Sequence, residues 1–211
     1  MGDGKAVMTN KRLILLVVLA WVVMAGVLIV AFLVTSDDVD PIVRHHLGSV
    51  VGTAKEIYPT TEKLALDWRP DAVLVGVTAG WRDATLETLR QPPAWSFQYY
   101  SPGQQQVFLV AVVEGEAQGL REMLVPYPLP AIPIDGWSVD SQRAVEIWLD
   151  SGGARFLERH PADAELRLQL RVADTSKDGT PRLLWTVMGI VFETNQVETL
   201  QIDAATGGLV R

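Results

Sequence analysis

Leu184-Trp185-Thr186-Val187 stands beside Ala94-Trp95-Ser96-Phe97 when the chain is laid on itself at an offset of 90 residues. At that offset Gln196-Val197 falls on Gln106-Val107, and Val210-Arg211 on Leu120-Arg121. Upstream, Pro161-Ala162-Asp163-Ala164-Glu165-Leu166 answers Pro70-Asp71-Ala72-Val73-Leu74 after a slip of one residue. Identities are few, so the signal is the recurring order of helix, strand, Trp-led strand and strand. The spacing predicts a small α+β unit occurring twice, over residues 35–121 and 137–211, joined by a linker over 122–136.

The second copy is the plainer one. Ser138 or Asp140 can cap a helix carrying Ala144, Ile147 and Trp148 on one face, and Gly152-Gly153 is expected to end it. Glu165-Leu166-Arg167-Leu168-Gln169-Leu170-Arg171-Val172 alternates strictly, which predicts a strand with one buried and one wet face in an antiparallel sheet. Lys177-Asp178-Gly179 marks a turn and Leu183 to Phe192 a largely apolar strand. Glu193-Thr194-Asn195 marks a further turn before a closing strand from Val197 to Asp203.

In the first copy Asp40-Pro41 reads as a helix start, with Val43, Leu47, Val50, Val51, Ala54 and Ile57 on one face of a 3.6-residue period. Pro59 is expected to kink or restart that helix. Thr61, Leu64, Ala65 and Trp68 continue the stripe until Arg69-Pro70 stops it. Strands are expected near Ala72 to Thr78, Ala94 to Tyr100 and Val107 to Val113, with Pro102-Gly103 supplying a turn because Pro fixes φ and Gly permits positive φ. The Val107 to Val113 run has no polar side, so it predicts cover on both faces, the second from the other repeat or from another protein. The prolines from Pro126 to Pro133 predict a stiff, extended linker lying on the domain surface.

Ahead of both copies, Leu13 to Val34 is apolar throughout and at helical rise spans roughly 33 Å, enough for a hydrocarbon core of about 30 Å. This predicts one transmembrane helix over residues 13–34 after a short segment, 1–12. Lys5, Lys11 and Arg12 precede the run and Asp37, Asp38 and Asp40 follow it, so the amino terminus should be cytoplasmic and the remainder extracytoplasmic. A cleaved signal peptide is the rival, since Val34-Thr35-Ser36 loosely fits a cleavage site, but its apolar core would be only about 7 to 15 residues. Residues 1–34 carry a net +2 of the formal −7, leaving −9 outside, a balance that repels nucleic acid and anionic head groups. With no cysteine, disulfides, thiolate metal sites, thiol nucleophiles and lipidated cysteines are excluded.

From Ser138 onward the chain resembles a PepSY domain. The resemblance rests on Asp140-Ser141 ahead of Ala144, the Gly-Gly break, Leu184-Trp185-Thr186-Val187, and the ending Ile202-Asp203-Ala204-Ala205-Thr206-Gly207. It covers about 75 residues well and residues 53–121 only weakly, where Val113-Glu114-Gly115-Glu116-Ala117 replaces the Asp-Ala-x-Thr-Gly turn. The resemblance implies, for each copy, a short antiparallel sheet packed on one helix, often beside a membrane helix, and roles in binding or inhibiting peptidases. It brings no catalytic residues with it.

No Gly-x-Ser-x-Gly elbow, His-Glu-x-x-His helix or Gly-x-x-x-x-Gly-Lys loop occurs, and no enzyme activity, cofactor or metal is expected. Asp203, Thr206 and Gly207 read as a self-bonded turn rather than a metal or phosphate loop, with Gly207 left-handed. His45 and His46, adjacent on a helix, would point about 100° apart, poor geometry for one ion. His160 reads as a helix-end residue, and Glu114, Glu116 and Glu122 as solvated carboxylates. Trp68, Trp95, Trp148 and Trp185 fall at core positions, whereas Trp81, Tyr99 and Tyr100 are the tentative contact residues. Together these readings predict a bacterial single-pass protein of the cell membrane whose exterior modules bind or regulate a peptidase or another surface protein or peptide without catalysis. The alternative is an accessory structural subunit of a larger membrane complex, held mainly by its anchor.

Overall fold

In the computed structural model, which describes residues 43–45, 52–161, 163–173 and 181–210, the first half consists of one helix and five strands. They are β1 (Val43–His45), α1 (Ala54–Trp68), β2 (Val73–Trp81), β3 (Ala94–Ser101), β4 (Gln106–Val113) and β5 (Glu116–Leu124). The second half has α2 (Ser141–Trp148), a π-type turn (Leu149–Gly153), α3 (Ala154–Arg159), β6 (Ala164–Ala173), β7 (Arg182–Val191), β8 (Gln196–Asp203) and β9 (Leu209–Val210). All nine strands pair antiparallel in one sheet, in the order β1-β5-β4-β3-β2-β6-β7-β8-β9. The fold class is therefore α+β with a single antiparallel sheet. The apolar run 13–34 and the turn at Lys177-Asp178-Gly179 lie outside the described residues.

The order of elements recurs. β4 and β8 have eight residues each and begin 90 positions apart, while β2 and β6 begin 91 apart. The hairpin turns leading into β4 and β8 each end on a residue at φ 52, Gln105 and Asn195. The two halves meet edge to edge through β2 and β6, where Val77 pairs with Leu170 and Ala79 with Leu168. Strand alternation then puts the apolar side of both halves on one face. Leu166, Leu168 and Leu170 of β6 lie under 2% exposed on that face, with Arg167 and Gln169 opposite, as the alternation predicts.

The described α-helices cover that face. Ala54, Ile57, Thr61, Leu64 and Ala65 of α1 are buried, and Trp68 stacks on Phe108 of β4 at 4.9 Å. Trp95, Trp148 and Trp185 are likewise core, each such side chain contributing roughly 1.5–3 kcal/mol or more on burial. α2 and α3 lie hard against β7. A Cβ on Gly189 would come within 2.8 Å of both Phe156 and Trp148. One acidic cap joins the two helical layers. Asp140 Oδ1 accepts the N–H of Ser141 (2.6 Å) and that of Lys55 (3.1 Å), while Ser141 Oγ accepts the N–H of Ala54 (3.0 Å).

Several local expectations are corrected. Residues 43–45 are not helical; they form β1 against Ala117, Gln118 and Gly119, so pairing with an existing edge outweighs the helical spacing. The first described helix starts at Ala54, where Glu56 accepts the N–H of Thr53, and it runs through Pro59. One expectation holds there: Gly152-Gly153 breaks the helix that begins at Ser141. Gly152, at φ 131, is non-helical and separates it from α3. Gly103 does not supply the positive φ of its turn, which Gln105 does; Gly103 is needed because its N–H donates to Asp71 (2.8 Å), where a Cβ would meet the same carboxylate at 2.8 Å. β5 and β9 extend each half by a strand that was not expected.

The proline-containing linker is docked on the sheet. Val125 N–H donates to Gln105 C=O (2.8 Å), Val125 and Leu129 pack on Val75, Tyr100 and Val107, and Ile132 N–H reaches Leu74 C=O (2.7 Å) before its side chain enters the main core. The second cover expected for β4 is thus this linker, and only at one end. Val113 at the other end is 48% exposed. The second repeat does not lie over β4; it continues the sheet sideways.

Candidate functional site

The three aromatic contact candidates occupy unlike places. Tyr99 is 1% exposed on the helix face, where its hydroxyl meets Thr61 Oγ1 at 2.8 Å and Thr61 in turn donates to Tyr58 C=O. Tyr100 is 3% exposed on the opposite face beneath Val125 and Leu129. Neither is accessible to a partner in this structure, because β3 is covered on both sides at this end. Trp81 is half-buried, packs against the main core and donates its indole N–H to Gln91 C=O (2.9 Å). The structure does not bring the three together.

The titratable groups that are displaced from their ordinary range serve the fold. Burial, reinforced by the Glu62 carboxylate that accepts from its hydroxyl, pushes Tyr58 up. Burial also raises Tyr99. The Ser101 hydroxyl, then the Gly103 N–H, hold Asp71 below the usual carboxylate range. In the closing turn Asp203 Oδ1 accepts the N–H groups of Ala205 (3.0 Å) and Thr206 (2.9 Å), with Gly207 at φ 76, as expected of a self-bonded loop. His160 caps α3 and packs on Phe156 at 5.0 Å, while Glu114 is a left-handed turn residue at φ 53. Among the described residues no group of three His, Asp or Glu side chains is placed to hold a metal ion.

Among the described residues, the sheet face opposite the helices is covered only at the end under Val125 and Leu129, and β8 and β9 lie at its far edge. Across that face the pairing aligns Gln118, Ala111, Ser96, Thr78, Gln169, Thr186 and Gln201 in one uncharged row over seven strands. At the edge, Asp203 N–H donates to Gly208 C=O (2.8 Å) and Asp203 C=O accepts from Gly207 (2.8 Å), so its backbone faces away from β7. Alternation along β8 turns the backbone groups of Gln201, Thr199 and Val197 the same way. β9 pairs with Gln201 and Ile202. No described strand pairs with Val197 or Thr199 on that side.

This edge is flanked on both faces. Val197 and Phe192, 59% and 53% exposed, sit beside it on the open face. On the helix face lies a cleft lined by Ser151, Gly152, Arg155, Glu158, Arg159 and Glu198. Sequence reasoning identified β8 as a strand but not as an edge. Position in a sheet depends on which distant strand pairs with it, a signal that local alternation does not carry. Comparison with protein-family models, curated proteins and solved structures finds no match.

Proposed function

We propose that this chain is a membrane-anchored, extracytoplasmic, non-catalytic binding or regulatory protein. Residues 13–34 hold it in the lipid bilayer of the cell, with the amino terminus cytoplasmic and tandem PepSY-like repeats displayed outside. Its partner on this reading is another protein or peptide, such as a peptidase or other surface protein, engaged by occupancy and not by chemistry; the acidic exterior argues against nucleic acid. The observation that supports the proposal is a nine-stranded sheet whose described helices lie on one face, leaving on the opposite face a row of uncharged side chains that runs from Gln118 to Gln201. Such a surface suits recognition by shape.

The test is co-purification of the full chain from gently solubilised membranes, alongside a version whose 13–34 segment is replaced by an unrelated spanning helix. A stoichiometric partner retained by both supports the proposal. A partner lost with the native anchor points to an accessory subunit held within the bilayer, and repeated recovery of the bare protein removes the binding reading.

A further inference from the structure

We infer that the linker from Leu124 to Pro133 is itself a ligand: a pre-extended, proline-spaced ridge that another protein takes into a groove lined with aromatic side chains. This inference rests on the binding role proposed above and states the chemistry of the partner. Eight of the nine residues from Val125 to Pro133 are sterically restricted. Pro126, Pro128, Pro130 and Pro133 have fixed φ, and Val125, Tyr127, Leu129 and Ile132 each precede a proline. A chain restricted in this way runs extended with three residues per turn. Burial follows that period. Leu124, Tyr127, Pro130 and Pro133 stand outward at spacings of three, with Leu124 76% and Tyr127 58% exposed, whereas Leu129 and Ile132 turn inward. Pro126, Pro128 and Ala131 are exposed beside that row.

The inward side fixes the ridge in place. Val125 and Leu129 rest on Val75, Tyr100 and Val107, and the N–H groups of Val125 and Ile132 bond to Gln105 and Leu74. Between those two bonds the backbone groups of residues 126–131 have no hydrogen-bond partner among the described residues, and neither has the Tyr127 hydroxyl. The twelve residues from Met123 to Ile134 carry no charge, in a chain of which 20% is charged. A connection that needs only to stay solvated has no use for a contiguous apolar crest.

The outward groups specify the partner. Leu, Tyr and Pro side chains at a three-residue period fit between aromatic rings, and the free carbonyls of 126–131 call for N–H or O–H donors beside those rings. Because the sheet already holds the ridge extended, little ordering cost is left to binding. Lipid fits poorly, since hydrocarbon cannot satisfy those backbone groups and Glu122 and Asp135 bracket the segment. A second copy fits poorly too. Among the described residues the exposed large aromatics are Tyr127 and Phe192, which stand toward opposite ends of the strands and form no groove.

The experiment places a photo-crosslinking amino acid at 124, at 127 and, as a control elsewhere on the open face, at 169 in the full chain in its native membrane, and maps the crosslinked peptides. The expected result is that 124 and 127 join one other protein at peptides containing Trp or Tyr. With the crosslinker at 124, Tyr127→Ala should lower that yield about tenfold and Pro130→Ala severalfold. Tyr127 is exposed, so an unchanged thermal unfolding curve confirms that its variant is folded. A yield indifferent to both variants overturns the ridge as the recognised element. Crosslinks from 124 and 127 to lipid or to another copy of this chain also overturn it. Crosslinks only at 169 overturn the ridge while leaving the binding role intact, and no partner at any position overturns both.

Discussion

Thr78 lies opposite Gln169, the residue that takes its own place 91 positions further along the chain. Because Val77 pairs with Leu170 and Ala79 with Leu168, the pairing reads the same from either half, and a local two-fold axis passes through this pair normal to the sheet. Such an axis keeps both helical layers on one face. It also merges two small apolar faces into one core, which two isolated units of this size would lack.

The halves should therefore unfold together. Leu168, 1% exposed, pairs with Ala79 on one side and Val187 on the other. Leu168→Ala is expected to cost about 2–5 kcal/mol and to raise hydrogen exchange in β4 as much as in β8. Faster exchange confined to the second half would show that the two halves are separate cooperative units.

Alternation and spacing made much of this fold legible. β6 was readable because its apolar and polar residues alternate, and β7 because it lies 90 residues beyond a strand with the same Trp. β5 was not readable, since Glu116, Ala117, Gln118, Leu120, Arg121 and Met123 are all good helix formers; the two-residue turn at Glu114 and Gly115, both at positive φ, folds them back onto β4 instead. β1 was misread because Val43 fits a helical stripe, whereas pairing with Ala117, Gln118 and Gly119 is decided more than 70 residues away. Tyr99 and Tyr100 looked available because a strand has two faces. That α1 covers one and the Pro-containing linker the other follows only from the tertiary arrangement.

Asp140 should matter to two helices at once. Its Oδ1 accepts from Ser141 at the start of α2 and from Lys55 at the start of α1. A single N-cap change typically costs about 1 kcal/mol, so Asp140→Ala is expected to exceed that, at about 2 kcal/mol. Denaturant midpoints for Asp140→Ala and Asp140→Asn test it. Asn retains the acceptor and should recover most of the loss, and equal losses in the two variants would assign the effect to charge alone.

Val139 C=O receives two indole donors, from Trp137 (2.9 Å) and Trp185 (2.8 Å), whose rings meet edge-on at 5.9 Å. Either Trp→Phe change leaves the carbonyl one partner, while both together leave it none. The double variant should therefore lose about 1 kcal/mol more than the sum of the singles. A double-mutant cycle on unfolding free energies reads this directly, and strict additivity would mean that the carbonyl finds another donor.

Asp71 should contribute to the acid limb of stability. Its carboxylate accepts from the buried Ser101 hydroxyl (2.7 Å) and from Gly103 N–H (2.8 Å), and these bonds favour the charged form. A folded pKa below the unfolded value of about 3.9 means that the contribution is complete above that value and disappears as pH falls through the folded one. Asp71→Asn keeps the shape but places an N–H₂ where one acceptor stood. The variant should have the lower Tm at pH 7, with the gap to the native chain closing as pH drops from about 5 toward 2. A gap that stays constant across that range would mean that Asp71 acts through packing and not through its charge.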